Sequence, residues 1–583
     1  MPMRPPLAAL LRPLLALRVG MRRFFGMADW QLTLLWAIVA GALGALATEV
    51  FRLALHALDR AVLGEGEGLV ALARSLPMWA RIATPTVGGL VAGLLLVLAR
   101  RATAQKATSD YMEAIVVGDG KIPVTQTLVR SASSLVSIAS GGSIGREGSM
   151  VQLSALCASL LGQIFRFPGE RLRLLVACGA AAGLTAAYNA PIAGAFFVAE
   201  IVLGSIAMES VGPIIVAAVV ANIVMREMPG YQPVYQMPVF PDVAGAEVLL
   251  FALLGVLLGG AAAVFLRALA ASRQAFARLP VALPWRLALG GLAVGVISVF
   301  VPEVWGNGYS VVNSVVHTDW PWALLALVLV AKFAATLATA GSGAVGGVFT
   351  PALFFGGLTR ALFGHGVLAI WPGASAQPFA YAIVGMGAFL AGATQAPLMA
   401  ILMIFEMTLS YPVMLPLMAA SVLSFFVARS ANAGSMYDIT HRRRAQQVEQ
   451  LRLRTQHVRD LLEPALTVVP PAADTAAMSA LFLQHPVKYL YVVDAQLQYL
   501  GVVSLKALMA AGSEPAAGAL TAAALLSHDI VPLEAGMGLG PALERFMAHR
   551  GERLPVIEST ARPVLLGVVA KSALLETYVR LSQ

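Results

Sequence analysis

From about Gln31 to Ala428 the chain is a succession of apolar runs broken by glycine, proline and short polar loops. About 20 apolar residues cross a bilayer as a helix, so some 400 such residues predict roughly ten to fourteen membrane helices. Several runs are short or interrupted by glycine, notably those around Ser140–Met150, Gly341–Pro351 and Gly385–Pro397. Broken helices inside a membrane are tolerated where their backbone is buried in protein or lines a polar path. The pattern therefore points to a transporter or channel.

After Arg444 polar and charged residues become frequent and two similar units follow. The first holds the strand-like run Tyr489–Val493 and then Gly501–Ser504; the second holds Leu554–Ile557 and then Gly567–Ala570. Each reads helix, strand, strand, helix, a small cytoplasmic α/β appendage. A repeat also runs through the apolar part. The segment from Ala187 through Pro191 to Glu200 matches that from Ala393 through Pro397 to Glu406 at a constant offset of 206 residues, which also pairs Gly179 with Gly385. A looser match at an offset of 201 pairs Gly145 with Gly346. Two homologous halves with paired broken segments direct attention to a binding site at the interface between the repeats.

Composition sharpens this reading. The 583 residues are 58% hydrophobic and 12% charged, where soluble domains run near 45–50% and about 25%. A soluble enzyme, a disordered chain, a collagen-like chain and a disulfide-built protein are all excluded for most of the length. The net charge of +9 comes in part from two clusters: Arg4, Arg12, Arg18, Arg22 and Arg23 before the first apolar run, and Arg442, Arg443, Arg444, Arg452, Arg454 and Arg459 after the last. Basic residues flanking membrane spans mark the cytoplasmic side, so both termini are expected there. Few aromatics are interleaved with these clusters, which argues against nucleic acid as a partner. The N-terminus shows no cleavage site of the kind that ends a signal peptide. Cys157 and Cys178 lie in apolar helical stretches and predict neither a disulfide framework nor a metal site. No metalloprotease or serine-hydrolase motif interrupts the apolar part, so neither an enzyme nor a cofactor is expected.

Glu147 is the chief candidate for chemistry. It lies between glycines in Ser140–Met150, where a helix would start. Free N–H groups at such a start suit an anion, and a tethered carboxylate would occupy them until protonated. Its repeat partner is Val348, so it has no acidic twin. Glu200 and Glu406 do have one another, which favours a shared structural role such as ending a helix. In the second half, Gly346–Pro351 would free the N–H groups of Val348 and Phe349 for a ligand. Glu113 and Arg130, both in the apolar part, are expected to pair, because a buried acid usually needs a cationic partner.

The run Gly145-Arg146-Glu147-Gly148, the run Gly347–Pro351 and the late Tyr437, in this order and spacing, resemble the CLC family of chloride channels and chloride/proton antiporters. The segments Thr108–Glu113, Trp305–Tyr309 and Thr394–Pro397 resemble its bacterial ClcB-type branch, and the tail resembles a CBS domain pair. The resemblance covers about residues 30–440. It implies a polytopic α-helical fold in a bacterial inner membrane, with two inverted halves (about 30–228 and 245–440) and a homodimer in which each subunit has its own anion path. A basic N-terminus (1–29), a basic linker (441–457) and CBS units at 458–511 and 522–581 complete the organisation. The resemblance makes Glu147 the gate, with the backbone of Arg146 and Gly148 beside the anion. Val348 and Phe349 would bind chloride through their amides and Tyr437 through its hydroxyl.

Three positions depart from the family pattern. Lys106–Asp110 replaces its first signature, leaving Thr108 and Ser109 as the available hydroxyls. Ile201 stands where antiporters carry an internal proton-transfer glutamate, which opens the alternative of a passive channel or uncoupled transporter. Ala507 and Ala573 stand where nucleotide-binding CBS units carry an aspartate, so a nucleotide partner is not secured.

Overall fold

A computed structural model describes residues 29–63, 68–102, 110–116, 118–204, 206–229, 235, 238, 240–241, 245–370, 378–432, 434–437, 456–511, 520–549 and 551–582. The chain divides between His441 and Arg442 into two compact units.

The first unit is all helical. Among the described residues, seven helices are long and apolar enough to cross a membrane, fewer than the ten to fourteen expected from chain length. The shortfall has a local cause: apolar sequence in the middle of each half is cut into short pieces by Asn189-Ala190-Pro191 and Gln395-Ala396-Pro397. Asn189 (φ 59°) and Gln395 (φ 61°) both take the left-handed conformation that ends a helix. The next residues, Ala190 and Ala396, are extended with nearly the same dihedrals, φ −127°, ψ 81° and φ −132°, ψ 77°. Proline then opens a new short helix in each half, its missing N–H costing nothing there. The repeat read from sequence at an offset of 206 is thus a repeat of backbone conformation.

The two halves are tied by reciprocal contacts. Glu200 accepts hydrogen bonds from the N–H groups of Leu398 (3.4 Å) and Met399 (2.8 Å), at the start of the Pro397–Thr408 helix. Glu406 accepts from Ile192 (2.9 Å) and Ala193 (2.8 Å), at the start of the Pro191–Phe196 helix. Each carboxylate caps the opposite half's broken helix rather than ending its own, satisfying donors that have no partner within that helix. A second tie joins Gly145 and Gly347, which exchange N–H···O bonds of 2.7 and 2.9 Å as an isolated antiparallel bridge.

A buried cation fixes a loop that feeds the same region. Lys332 is fully buried and donates to the carbonyls of Val304 (2.9 Å) and Gly306 (2.7 Å), with its ammonium 5.4 Å from the Phe354 ring centroid. Arg74 pairs with Glu303 in that loop at 2.7 Å. Gly308 then turns the chain at φ 91° and the helix Tyr309–His317 begins.

The second unit contains two three-stranded sheets of identical topology. β1 (Val468–Val469) runs parallel to β2 (Tyr489–Val493), which is antiparallel to β3 (Tyr499–Ser504). β4 (Leu533–Glu534), β5 (Arg553–Ser559) and β6 (Arg562–Ala570) repeat this arrangement. The order helix, strand, strand, helix is corrected here by a leading strand in each unit. At two residues, β1 and β4 are too short to leave an alternating pattern in sequence. Within this second unit, core residues from both sheets, including Val502 of β3 and Val556 of β5, pack into one cluster.

Candidate functional site

The helix Glu147–Ile164 and the helix Phe349–Ile370 begin side by side beneath the Gly145–Gly347 bridge. Glu147 is 3% exposed, and its carboxylate reaches the start of the second helix. It accepts the Thr350 N–H at 2.7 Å on one oxygen and the Thr350 hydroxyl at 2.9 Å on the other. A helix N-terminus carries partial positive charge and unpaired N–H groups, so a carboxylate there fills an anion seat. Gly145 makes the approach possible, because a Cβ on it would overlap the Glu147 carboxylate oxygens. Gly145→Ala is therefore expected to push the carboxylate off Thr350 and to raise basal anion flux several-fold, toward the level of a protein lacking the acid. Flux into vesicles measures it, and an unchanged rate would contradict this geometry.

A cavity of about 900 Å³ opens at this point. Glu147, Gly148, Val348, Phe349 and Tyr437, all singled out from sequence, line it together, and Arg130 reaches it from the helix Val124–Ala139. Tyr437 lies against Phe197 with ring centroids 5.7 Å apart. The Arg146 guanidinium stands 5.2 Å from the Tyr309 ring centroid. Ile201 is buried in the π-helical turn Phe197–Leu203, where no proton can be exchanged on its side chain. Glu113 occupies the first turn of the short helix Tyr111–Val116. Thr108 and Ser109, expected as substitute hydroxyls, lie outside the described residues.

Several residues at the site were not anticipated. Arg273 also lines the cavity, as does Ser149, whose backbone the resemblance places near the anion and whose hydroxyl is buried with no hydrogen-bond partner among the described residues. Arg130 and Arg273 bring two cations to the cavity, facing the two carboxylates of Asp110 and Glu147. Thr350, fully buried, is contacted by two more hydroxyls: Tyr188 at 2.8 Å and Tyr309 at 3.1 Å. A signal for Tyr188 was present in the repeat, whose twin position holds Thr394. Such an asymmetry marks a position that the shared fold does not require. For Thr350 the only sequence signal was its place beside Val348 and Phe349.

Comparison with known proteins places this geometry. A family model described as "Voltage gated chloride channel" matches residues 87–429. A "Putative chloride channel protein ClcB-like" of Ralstonia nicotianae is 56% identical over 401 residues, spanning 68% of this chain and 94% of that protein. The "Voltage-gated ClC-type chloride channel ClcB" of Escherichia coli is 40% identical over 408 residues, spanning 69% of this chain and 97% of its own length. Among solved structures, a "slow cyanobacterial Cl-/H+ antiporter" is similar with TM-score 0.64 and 28% identity, covering 72% of this chain and 99% of that one. A "eukaryotic CLC transporter" is similar in fold with TM-score 0.59 and 18% identity, covering 94% of this chain and 99% of that one.

Proposed function

We propose, for a chain that belongs to the CLC family of chloride transport proteins, that Glu147 gates the anion path and that chloride moves in exchange for protons. The family assignment makes this a multi-pass membrane protein of the bacterial ClcB type, a transporter or channel and not an enzyme. The observation that carries the proposal is the Glu147 carboxylate seated on Thr350 at the start of the opposite half's helix, beside a cavity that Val348, Phe349 and Tyr437 also line. An ionised carboxylate there competes with an anion for the same N–H groups. Protonation removes its charge and weakens those bonds, so the seat empties and an anion enters. The direction follows: flux rises as pH falls. Each cycle of release and return at Glu147 takes up and gives back one proton, which supplies a means of exchange. The 28% identity to a chloride/proton antiporter is in keeping with this.

Chloride would then pass between the amides of Val348 and Phe349 and the Tyr437 hydroxyl, with the backbone of Arg146 and Gly148 on the Glu147 side. Ile201 favours a second reading, passive or uncoupled chloride movement, because antiport through this site needs a proton route to Glu147 that avoids that side chain. Recording chloride efflux and external pH together from loaded vesicles separates the two. A homodimer in which each subunit has its own anion path belongs to the same proposal, on the resemblance to the family. Both termini are assigned to the cytoplasm on the basic residues that flank the apolar part.

The pairing of Glu113 with Arg130 belongs to the same proposal, since Arg130 lines the cavity. Glu113→Gln is expected to lower the thermal midpoint of the purified protein and to slow chloride flux. Wild-type values for both would count against the pair.

A further inference from the structure

Four hydroxyl or carboxyl groups meet at Thr350, and the count of protons fixes how they are bonded. A threonine hydroxyl has one proton to give and two lone pairs to accept with. Its proton goes to Glu147 Oε2 at 2.9 Å. With Glu147 ionised, the Tyr188 and Tyr309 hydroxyls, 2.8 and 3.1 Å from the same oxygen, are left to donate to it. Each ring is held in place. Tyr188 packs against Phe349 with centroids 5.2 Å apart, and Tyr309 lies between the Tyr235 ring (5.0 Å, edge to face) and the Arg146 guanidinium. With both lone pairs taken, the Thr350 oxygen can only donate toward the seat. Toward an anion Thr350 thus offers two donors, its N–H and its O–H. It suits a carboxylate or a halide.

We propose that the Thr350 hydroxyl is an anion-binding group of the transport path, turned to donate toward an anion by Tyr188 and Tyr309. It clasps the Glu147 carboxylate when the gate is closed and a halide when the carboxylate has left. Tyr188 and Tyr309 are positioning residues that act through Thr350. The inference rests on the reading of Glu147 as the gate. It adds a hydroxyl contact to an anion path whose first signature, Lys106–Asp110, is altered.

The test uses the full chain in liposomes, with chloride flux measured against pH and against chloride concentration. Thr350→Val keeps the N–H and the shape but removes the hydroxyl. A hydrogen bond to a charged group is strong enough that its loss changes the closed-gate equilibrium by about tenfold. Flux near neutral pH should rise by about that factor in Thr350→Val, and the pH profile should flatten. At low pH, where the gate is neutral, the chloride concentration for half-maximal flux should rise several-fold, because the same hydroxyl no longer holds the halide. Thr350→Ser should restore both properties. The double variant Tyr188→Phe, Tyr309→Phe should shift the profile in the same direction by less, and it provides the readout should Thr350→Val fail to fold. A residue with a purely structural role would not loosen the gate and weaken halide binding together. Wild-type profiles and half-saturation in Thr350→Val and in the double tyrosine variant would overturn the proposal. Glu147→Gln measured alongside separates the two claims. If it keeps a wild-type pH profile, the gate reading itself fails. If it loses that profile while Thr350→Val behaves as wild type, only the assignment of Thr350 fails.

Discussion

Glu147→Gln is expected to conduct chloride at a rate that no longer depends on pH, with proton movement reduced to background. Glutamine is nearly isosteric with glutamate, so the loop between Gly145 and Gly148 keeps its shape while the charge is lost. In the wild-type seat the carboxylate accepts two charge-assisted bonds from Thr350. Such bonds contribute about 1.5–3 kcal/mol each. An amide loses the charge assistance, and its NH₂ faces donors if it turns the wrong way. The closed state should therefore weaken by a factor on the order of ten or more. Flux at neutral pH rises toward the value that the wild type reaches only in acid. A Glu147→Gln protein that retained the wild-type pH profile would place the gate elsewhere.

The second large effect is on stability. Glu200→Ala and Glu406→Ala each remove the acceptor for two N–H groups at the start of the opposite half's broken helix. Losing a helix cap costs about 0.5–2 kcal/mol, and bonds to a charged group raise that figure. A loss of about 2–4 kcal/mol is expected for either variant, visible as a clear fall in the thermal midpoint of the purified protein. The more acceptor-rich substitution, Glu200→Gln, should lose less, because one amide oxygen can still receive an N–H. It also decides a question raised by the neighbour Ile201. If Glu200 served as the proton relay that Ile201 cannot be, Glu200→Gln would abolish proton movement while leaving stability nearly intact. The reciprocal caps lead to the opposite outcome: lower stability with proton movement retained.

Much of this architecture was legible in the residues, for reasons that can be stated one at a time. The repeat at an offset of 206 was readable because Asn189-Ala190-Pro191 and Gln395-Ala396-Pro397 are residue types demanded by the same backbone path, a left-handed helix end followed by a proline start. Glu147 stood out because its partner at the looser offset of 201, Val348, is not acidic, and the structure puts it at the junction of the halves. What sequence could not supply is which helix each acid addresses. Glu200 and Glu406 were expected to share a structural role, yet nothing in a linear pattern says that each caps the other half's helix, since that contact spans about 200 residues. Thr350 was hidden for a similar reason. Its hydroxyl matters through Tyr188 and Tyr309, whose approach to it depends on three-dimensional packing. The two-residue strands β1 and β4 are simply too short to carry a periodicity.

The most direct test of exchange gated by Glu147 loads the purified protein into chloride-filled liposomes. Chloride efflux and external pH are then recorded together. Outward chloride movement is expected to drive protons inward, raising external pH, and Glu147→Gln is expected to abolish the proton signal while chloride continues to flow. Chloride efflux from the wild type with no change in external pH would contradict exchange gated by Glu147 and leave a passive path, as Ile201 alone would suggest.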